Sequence, residues 1–207
     1  MPESDASLRA AALSRLTAAL RGLIDTTVQV GGDAALLADA AAQVERLTQA
    51  LRVAVPETPP LRFDGGAATP EGLFAYDYVM GKWNPLAAPL RIEWQEPKSV
   101  AEATFGIAYE GPPGCVHGAA IAAAFDQVLN IANLMSGAAG PTARLTLHYR
   151  RPTPLHRVLR FEGWVERREE RKVHAAGRLL VDGEVCAEAQ GLFIVLDAER
   201  VMRLLDR

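Results

Sequence analysis

The chain has 207 residues, enough for one domain with an extension. Hydrophobic residues make up 49% and charged residues 23%, an ordinary globular balance, and the net charge of −3 carries no global nucleic-acid signal. Two cysteines, Cys115 and Cys186, exclude a disulfide scaffold and fit a reducing compartment.

Three segments are expected: 1–55, 56–83 and 84–207. The start, Met1-Pro-Glu-Ser-Asp5, is acidic where a signal peptide is basic, so a cytoplasmic protein is expected. In residues 5–25 the leucines Leu13, Leu16, Leu20 and Leu23 recur at helical spacing. Gly31-Gly32 interrupts, and Asp33 can cap a second helix with Leu37, Ala40, Val44, Leu47 and Leu51 on one face. Two such stripes joined by a Gly turn predict a helical hairpin, packed on the main domain or on a partner chain. A DNA-reading pair is disfavoured, because the second helix offers only Arg46 and Arg52.

Pro56 and Pro59-Pro60 begin a linker. Gly, Pro and scattered aromatics up to residue 83 suggest a segment covering a ligand tunnel, with a short helix starting at Pro70. Leu90, Ile92 and Trp94 alternate with Arg91 and Glu93, which predicts a strand, and Val100–Tyr109 a second. An Ala-rich apolar stretch from Gly118 to about Met135 predicts a buried helix. Strands are expected at Thr142–Arg150, Val158–Arg167, Lys172–Val181 and Glu184–Leu196, with Asp182-Gly183 as a hairpin turn. Two strands, a helix, then four strands make an α+β domain. No run reaches the length of about 18 apolar residues that a membrane span needs.

The stretch Gly111-Pro-Pro-Gly114 through His117-Gly118 to Asp126 concentrates the chemistry. A helix beginning at Gly118 presents free N–H groups, and a residue without a side chain lets a ligand oxygen approach them. That arrangement can hold an oxyanion. Asp126 is a lone acid in an apolar helix, a costly group suited to act as base or nucleophile. Eight helical residues span roughly 12 Å, so Gly118 and Asp126 of one chain cannot serve one substrate atom. If both act on one carbonyl, they come from two antiparallel copies in a homodimer. Asn130, one turn past Asp126, shares its face and can hold a water. Cys115 lies two residues before His117, but a small loop residue is the simpler reading than a nucleophile. Zinc-ligand spacing, a phosphate-binding Gly-rich loop and a serine elbow are all absent, so no metal or cofactor is expected.

The run Gly-Pro-Pro-Gly-x-x-His-Gly-x-x-x-Ala-x-x-x-Asp, then Thr142-Ala-Arg-Leu-Thr-Leu-x-Tyr149 and Pro152-Thr-Pro154, resembles the hotdog-fold acyl-CoA thioesterases. The nearest subgroups are the phenylacetyl-CoA (PaaI-type) and mitochondrial long-chain enzymes. The resemblance covers about residues 84–196, and the usual His-Gly-Gly reads His117-Gly118-Ala119 here. It implies an antiparallel sheet wrapped around a central helix, and hydrolysis of an acyl-CoA substrate whose CoA is no separate cofactor. It further implies that Asp126 activates water or attacks the thioester carbonyl, that the Gly118 N–H receives the oxyanion, and that His117 orients the loop or meets the reacting group. Thr142, sixteen residues after Asp126, matches the threonine such enzymes place beside the aspartate. Arg150 and Arg151 are the expected partners of the CoA phosphates. The dimer could pair again into a dimer of dimers. A non-catalytic acyl-CoA binder or sensor is the alternative. A hydratase fits less well, since Ile131 stands where such enzymes carry a histidine five residues after the aspartate.

Overall fold

The computed structural model describes residues 5–57, 69–138 and 140–195. Its first helices are α1 (Asp5–Thr27), α2 (Ala34–Arg52) and α3 (Pro70–Leu73). Strands β1 (Arg91–Gln95) and β2 (Lys98–Thr104) lead to the central helix α4 (Gly118–Met135). Four strands follow: β3 (Thr142–Tyr149), β4 (Val158–Arg168), β5 (Lys172–Val181) and β6 (Glu184–Ile194). All neighbours in the sheet are antiparallel, in the order β1-β2-β4-β5-β6-β3.

The sheet curls around α4, which touches β2 through β6, as expected for a hotdog fold. Phe125 of α4 meets Phe161 of β4 edge to face at 5.3 Å. Where the helix lies closest, the strands carry glycine. A Cβ on Gly163 would sit 2.9 Å from Val128, and one on Gly177 would sit 3.1 Å from Leu129. These two glycines are register partners on β4 and β5, so together they open a groove for the helix. By length and mean hydropathy α4 could cross a membrane, but here half of it is buried inside the domain.

The strand expectations hold closely from β3 onward. Asp182 and Gly183 both adopt positive φ, 51° and 83°, the backbone of a tight hairpin turn. The second strand is shorter than expected. It ends at Thr104, and Ile107–Tyr109 form a 3-10 turn, because the chain must swing over the end of the sheet to enter the Gly111 loop. The short helix at Pro70 is present, capped by Thr69. Much of the expected covering segment falls on residues 58–68, outside the described residues.

The two N-terminal helices differ in what they face. α1 turns Leu13, Leu16, Thr17 and Leu20 toward the domain, with Thr17 fully buried. Asp33 caps α2 as expected, accepting the Leu36 N–H at 2.9 Å. Yet α2 buries no residue, and its stripe of Leu37, Val44, Leu47 and Leu51 is exposed. Both helices form as expected, and α1 docks on the domain while α2 keeps its stripe exposed.

Candidate active site

The loop that feeds α4 is held from three sides. Gly111 N–H donates to the Cys115 carbonyl at 2.9 Å, and Gly114 takes a positive φ of 72°. The Glu110 carboxylate accepts the Gly114 N–H at 2.7 Å. The Pro152-Thr153-Pro154 segment lies alongside: Val116 N–H donates to the Thr153 carbonyl at 2.8 Å, and Cys115 bridges to Pro154. That contact explains why the Pro-Thr-Pro motif accompanies the Gly-Pro-Pro-Gly turn.

His117 is the N-cap of α4. Its backbone N–H donates to the Tyr109 carbonyl at 2.8 Å, and its Nδ1 accepts the Ala119 N–H at 3.0 Å. An imidazole nitrogen thus does the work of a capping side-chain oxygen. These two bonds cap the entrance of α4 and tie it to the 3-10 turn.

The Gly118 N–H has no acceptor among the described residues, whereas the Ala119 N–H is taken by His117. An unpaired donor at a helix N-terminus is disposed toward negative charge. The Gly118 carbonyl accepts the Tyr149 hydroxyl at 2.8 Å, and a Cβ on Gly118 would come 3.2 Å from that oxygen. Partial burial pushes the Tyr149 hydroxyl above its ordinary pKa of 10.0, so it remains a donor at neutral pH. Tyr149 stands in the motif, but its bond to the helix tip is not legible in the sequence. Its place at the end of an alternating strand was the only signal, since its partner lies 31 residues away.

Asp126 sits two turns further along α4 and is half-buried. The Thr142 hydroxyl donates to its Oδ1 at 2.7 Å, joining the helix to the first residue of β3. Among the described residues no cation lies within ion-pair distance of Asp126. Its second carboxylate oxygen is thus free to accept a proton or a water. Asn130 lies one turn on, also half-buried, on the same helix face as Asp126, Ala123 and Ala119. Thr142, Asp126 and Asn130 therefore gather at mid-helix, while Gly118, His117 and Tyr149 gather at its tip. The helical rise keeps the two groups roughly 12 Å apart within one chain.

Beside the tip lies a cleft of about 280 Å³, bounded by Ala119, Ala120 and Ala123 of α4 and by Tyr78, Leu86 and Tyr109 opposite. Arg150 and Arg151 follow Tyr149 directly. Both are exposed and paired, Arg150 with Glu188 at 2.8 Å and Arg151 with Glu184. Cys115 and Cys186 are free thiols, and burial raises the Cys186 pKa. No group of three or more His, Cys, Asp or Glu able to hold a metal occurs among the described residues.

Comparison with known proteins converges on one family. A family model described as "Thioesterase superfamily" matches residues 113–188, the stretch from the Gly-Pro-Pro-Gly turn into β6. The chain is 34% identical over 93 residues to the acyl-coenzyme A thioesterase THEM4 of Bos taurus, covering 44% of this chain and 38% of that protein. For the THEM4 of Mus musculus the figures are 32% over 107 residues, 51% and 46%. The chain thus spans less than half the length of these curated relatives. A crystal structure described as a thioesterase superfamily protein superposes with a TM-score of 0.81 at 34% identity, covering 88% of this chain and 94% of that one. That likeness reaches well outside residues 113–188.

Proposed function

We propose that this chain, which belongs to the thioesterase superfamily, hydrolyses acyl-CoA thioesters to a carboxylic acid and free CoA at sites shared between two copies. The observation that carries the proposal is the Asp126–Thr142 pair, a carboxylate held by one hydroxyl with no cation beside it among the described residues. Facing it across a twofold axis would be the unpaired Gly118 N–H of the second copy. Two antiparallel α4 helices, related by symmetry, bring each base opposite the other helix's tip. Neither chain alone completes the site, because the roughly 12 Å between the two groups exceeds the reach of one carbonyl.

In the reaction a water oxygen bonds to the thioester carbon as its proton passes to Asp126. The carbonyl electron pair moves onto oxygen, where the Gly118 N–H stabilises it. Collapse of that intermediate breaks the carbon–sulfur bond, and the proton leaves on the CoA thiol. Thr142 and Asn130 hold the carboxylate and the water. In the covalent variant Asp126 attacks the carbonyl itself and CoA leaves as the thiolate; water then cleaves the resulting anhydride at the aspartyl carbon, and its proton passes to the thiolate. One turnover in heavy-oxygen water separates the two, since only the covalent route leaves label in the Asp126 carboxyl group.

The ion pairs of Arg150 and Arg151 are surface pairs, worth about 1 kcal/mol or less. A CoA phosphate can displace their carboxylate partners at small cost. No metal or further cofactor enters the scheme. The homodimer, alone or paired into a dimer of dimers, is part of the proposal.

The test is thiol release from a panel of acyl-CoAs, followed by mixed dimers. Chains carrying Asp126→Ala and chains carrying Gly118→Val should each be inactive and should regain activity when assembled together, because one site per mixed dimer is intact. Failure of the mixture to recover, with both variants dimeric, would reject the shared site. Undiminished thioester with the unaltered protein would reject hydrolysis and leave the acyl-CoA binder.

A further inference from the structure

The last turn of α1 carries an acid, Asp25, and no basic residue. A helix C-terminus bears partial negative charge, so an acid there goes against the local rule and calls for a use elsewhere. That use lies 83 residues away. Asp25 Oδ1 accepts the Ala108 N–H at 3.1 Å, and Gln29 Nε2 holds the other carboxylate oxygen at 3.2 Å. Two further residues anchor α1 for this reach. Arg21 donates to the carbonyls of Gly81 at 3.0 Å and Asn84 at 2.8 Å, and Ser14 Oγ accepts the Trp83 indole N–H at 3.1 Å.

Ala108 is the second residue of the 3-10 turn Ile107–Tyr109, and Gly106 is the N-cap of that turn. An N-cap side chain normally accepts the N–H two or three residues on. Gly106 has no side chain to do so, yet its backbone is that of a capping residue, with φ −86° and ψ −174°. A Cβ on Gly106 would collide with Asp25 Oδ1. The oxygen from α1 thus fills the space in which a side chain of residue 106 would begin, and it takes the bond a capping side chain would take. Glycine is needed here for close approach.

The capped turn carries the tip of α4. The Tyr109 carbonyl, one residue beyond Ala108, accepts the His117 N–H at 2.8 Å. The Tyr109 ring is fixed edge to face on Phe105 at 5.1 Å, and its hydroxyl donates to the Ala87 carbonyl at 3.1 Å. Glu110, next in sequence, bridges to Val116. A shift of the turn therefore moves His117, and with it the aim of the unpaired Gly118 N–H.

We propose that Asp25 caps this turn from outside it and thereby positions the Gly118 donor, so that α1 helps to set kcat. This rests on the thioesterase reading above. Asp25 is a positioning residue, acting through the turn and touching no reacting atom.

The test measures kcat and KM for the acyl-CoA that the unaltered protein cleaves fastest, together with amide hydrogen exchange at Ala108 and His117. Asp25→Ala should lower kcat about fivefold or more with KM within about twofold, and exchange at Ala108 should quicken. Asp25→Asn, which keeps a capping oxygen, should retain kcat within about twofold. Gly106→Ser alone should resemble Asp25→Ala, since two oxygens then claim one place. In the double variant Asp25→Ala/Gly106→Ser the serine supplies the cap locally, and kcat should return to within about twofold of the unaltered protein. A residue that merely held α1 on the domain would give no such recovery, because the double variant restores the cap and not the contact. Unchanged kcat in folded Asp25→Ala, a loss confined to KM, or no recovery in the folded double variant would overturn the proposal. Failure of the hydrolysis reading looks different: the unaltered protein releases no thiol, while exchange at Ala108 still quickens in Asp25→Ala and slows again in the double variant.

Discussion

Asp126 and Glu162 are both carboxylates withdrawn from water, and their surroundings assign them opposite work. Glu162, on β4, points away from α4 and is only 8% exposed. Three cations surround it: Arg178 at 2.9 Å, Lys98 at 3.2 Å and Arg160 at 3.2 Å. Burial by itself would raise its pKa, but the hydrogen bonds from Lys98, Arg160 and Arg178 together outweigh burial and hold it below its ordinary 4.5. Asp126 has one hydroxyl and no cation within reach among the described residues. A carboxylate saturated by cations joins strands and has no lone pair to offer. One steadied by a single hydroxyl keeps an oxygen for chemistry.

Exchanging each group should separate the two roles. The largest effect is expected for Asp126→Ala, a fall in kcat of about 100- to 10,000-fold in the thiol-release assay. Its stability, measured by chemical denaturation, should fall by no more than about 1.5 kcal/mol, since the Thr142 hydrogen bond is lost but no ion pair is broken. Loss of folding in step with activity would erase the contrast with Glu162.

Glu162→Gln should do the reverse, lowering stability by about 2 kcal/mol while kcat changes less than about twofold. The pH dependence follows from the sign of the shift. A carboxyl whose folded pKa lies below its unfolded value contributes stability above that unfolded value, and the contribution is lost as pH falls through the folded one. Thermal melts from neutral pH down to pH ~3 should therefore show a smaller acid-induced drop in Glu162→Gln than in the unaltered protein. An identical drop in both would remove Glu162 from the acid sensitivity.

Thr142→Val probes the single bond that steadies Asp126. A hydrogen bond to a charged acceptor is worth about 1.5 kcal/mol or more, so kcat should fall about tenfold. The smallest effect is expected from Tyr149→Phe, which releases the Gly118 carbonyl while leaving its N–H in place. A fall of about threefold in kcat, with KM nearly constant, would mark Tyr149 as a residue that positions the helix tip.

Much of the candidate site could be read before any coordinates. The bounds of α4, the free donor at Gly118 and the lone acid at Asp126 all follow from local rules: a Gly-Pro turn, an Ala-rich run, one charge out of place. The Asp126–Thr142 pair followed from a family spacing, and the structure places the two at 2.7 Å. The Glu162 cluster was not readable, because Lys98 and Arg178 reach it from strands 64 and 16 residues away. Arg150 and Arg151 could be seen as basic, but not as paired with Glu188 and Glu184 across strands.

The leucine stripes of α1 and α2 mark the boundary between the two kinds of knowledge. Helical periodicity is a property of neighbours along the chain, so both helices could be read from local spacing and from the Asp33 cap. What a stripe faces depends on surfaces built by distant segments. α1 found the 81–84 turn and the 106–109 turn through Arg21 and Asp25, while the equally leucine-rich α2 meets no such wall. The sequence by itself thus determined which helices and strands form and which acid stands apart from its surroundings. Only the tertiary structure decided which acid is bound by cations and which helix docks on the domain, because both depend on contacts made between segments far apart in the chain.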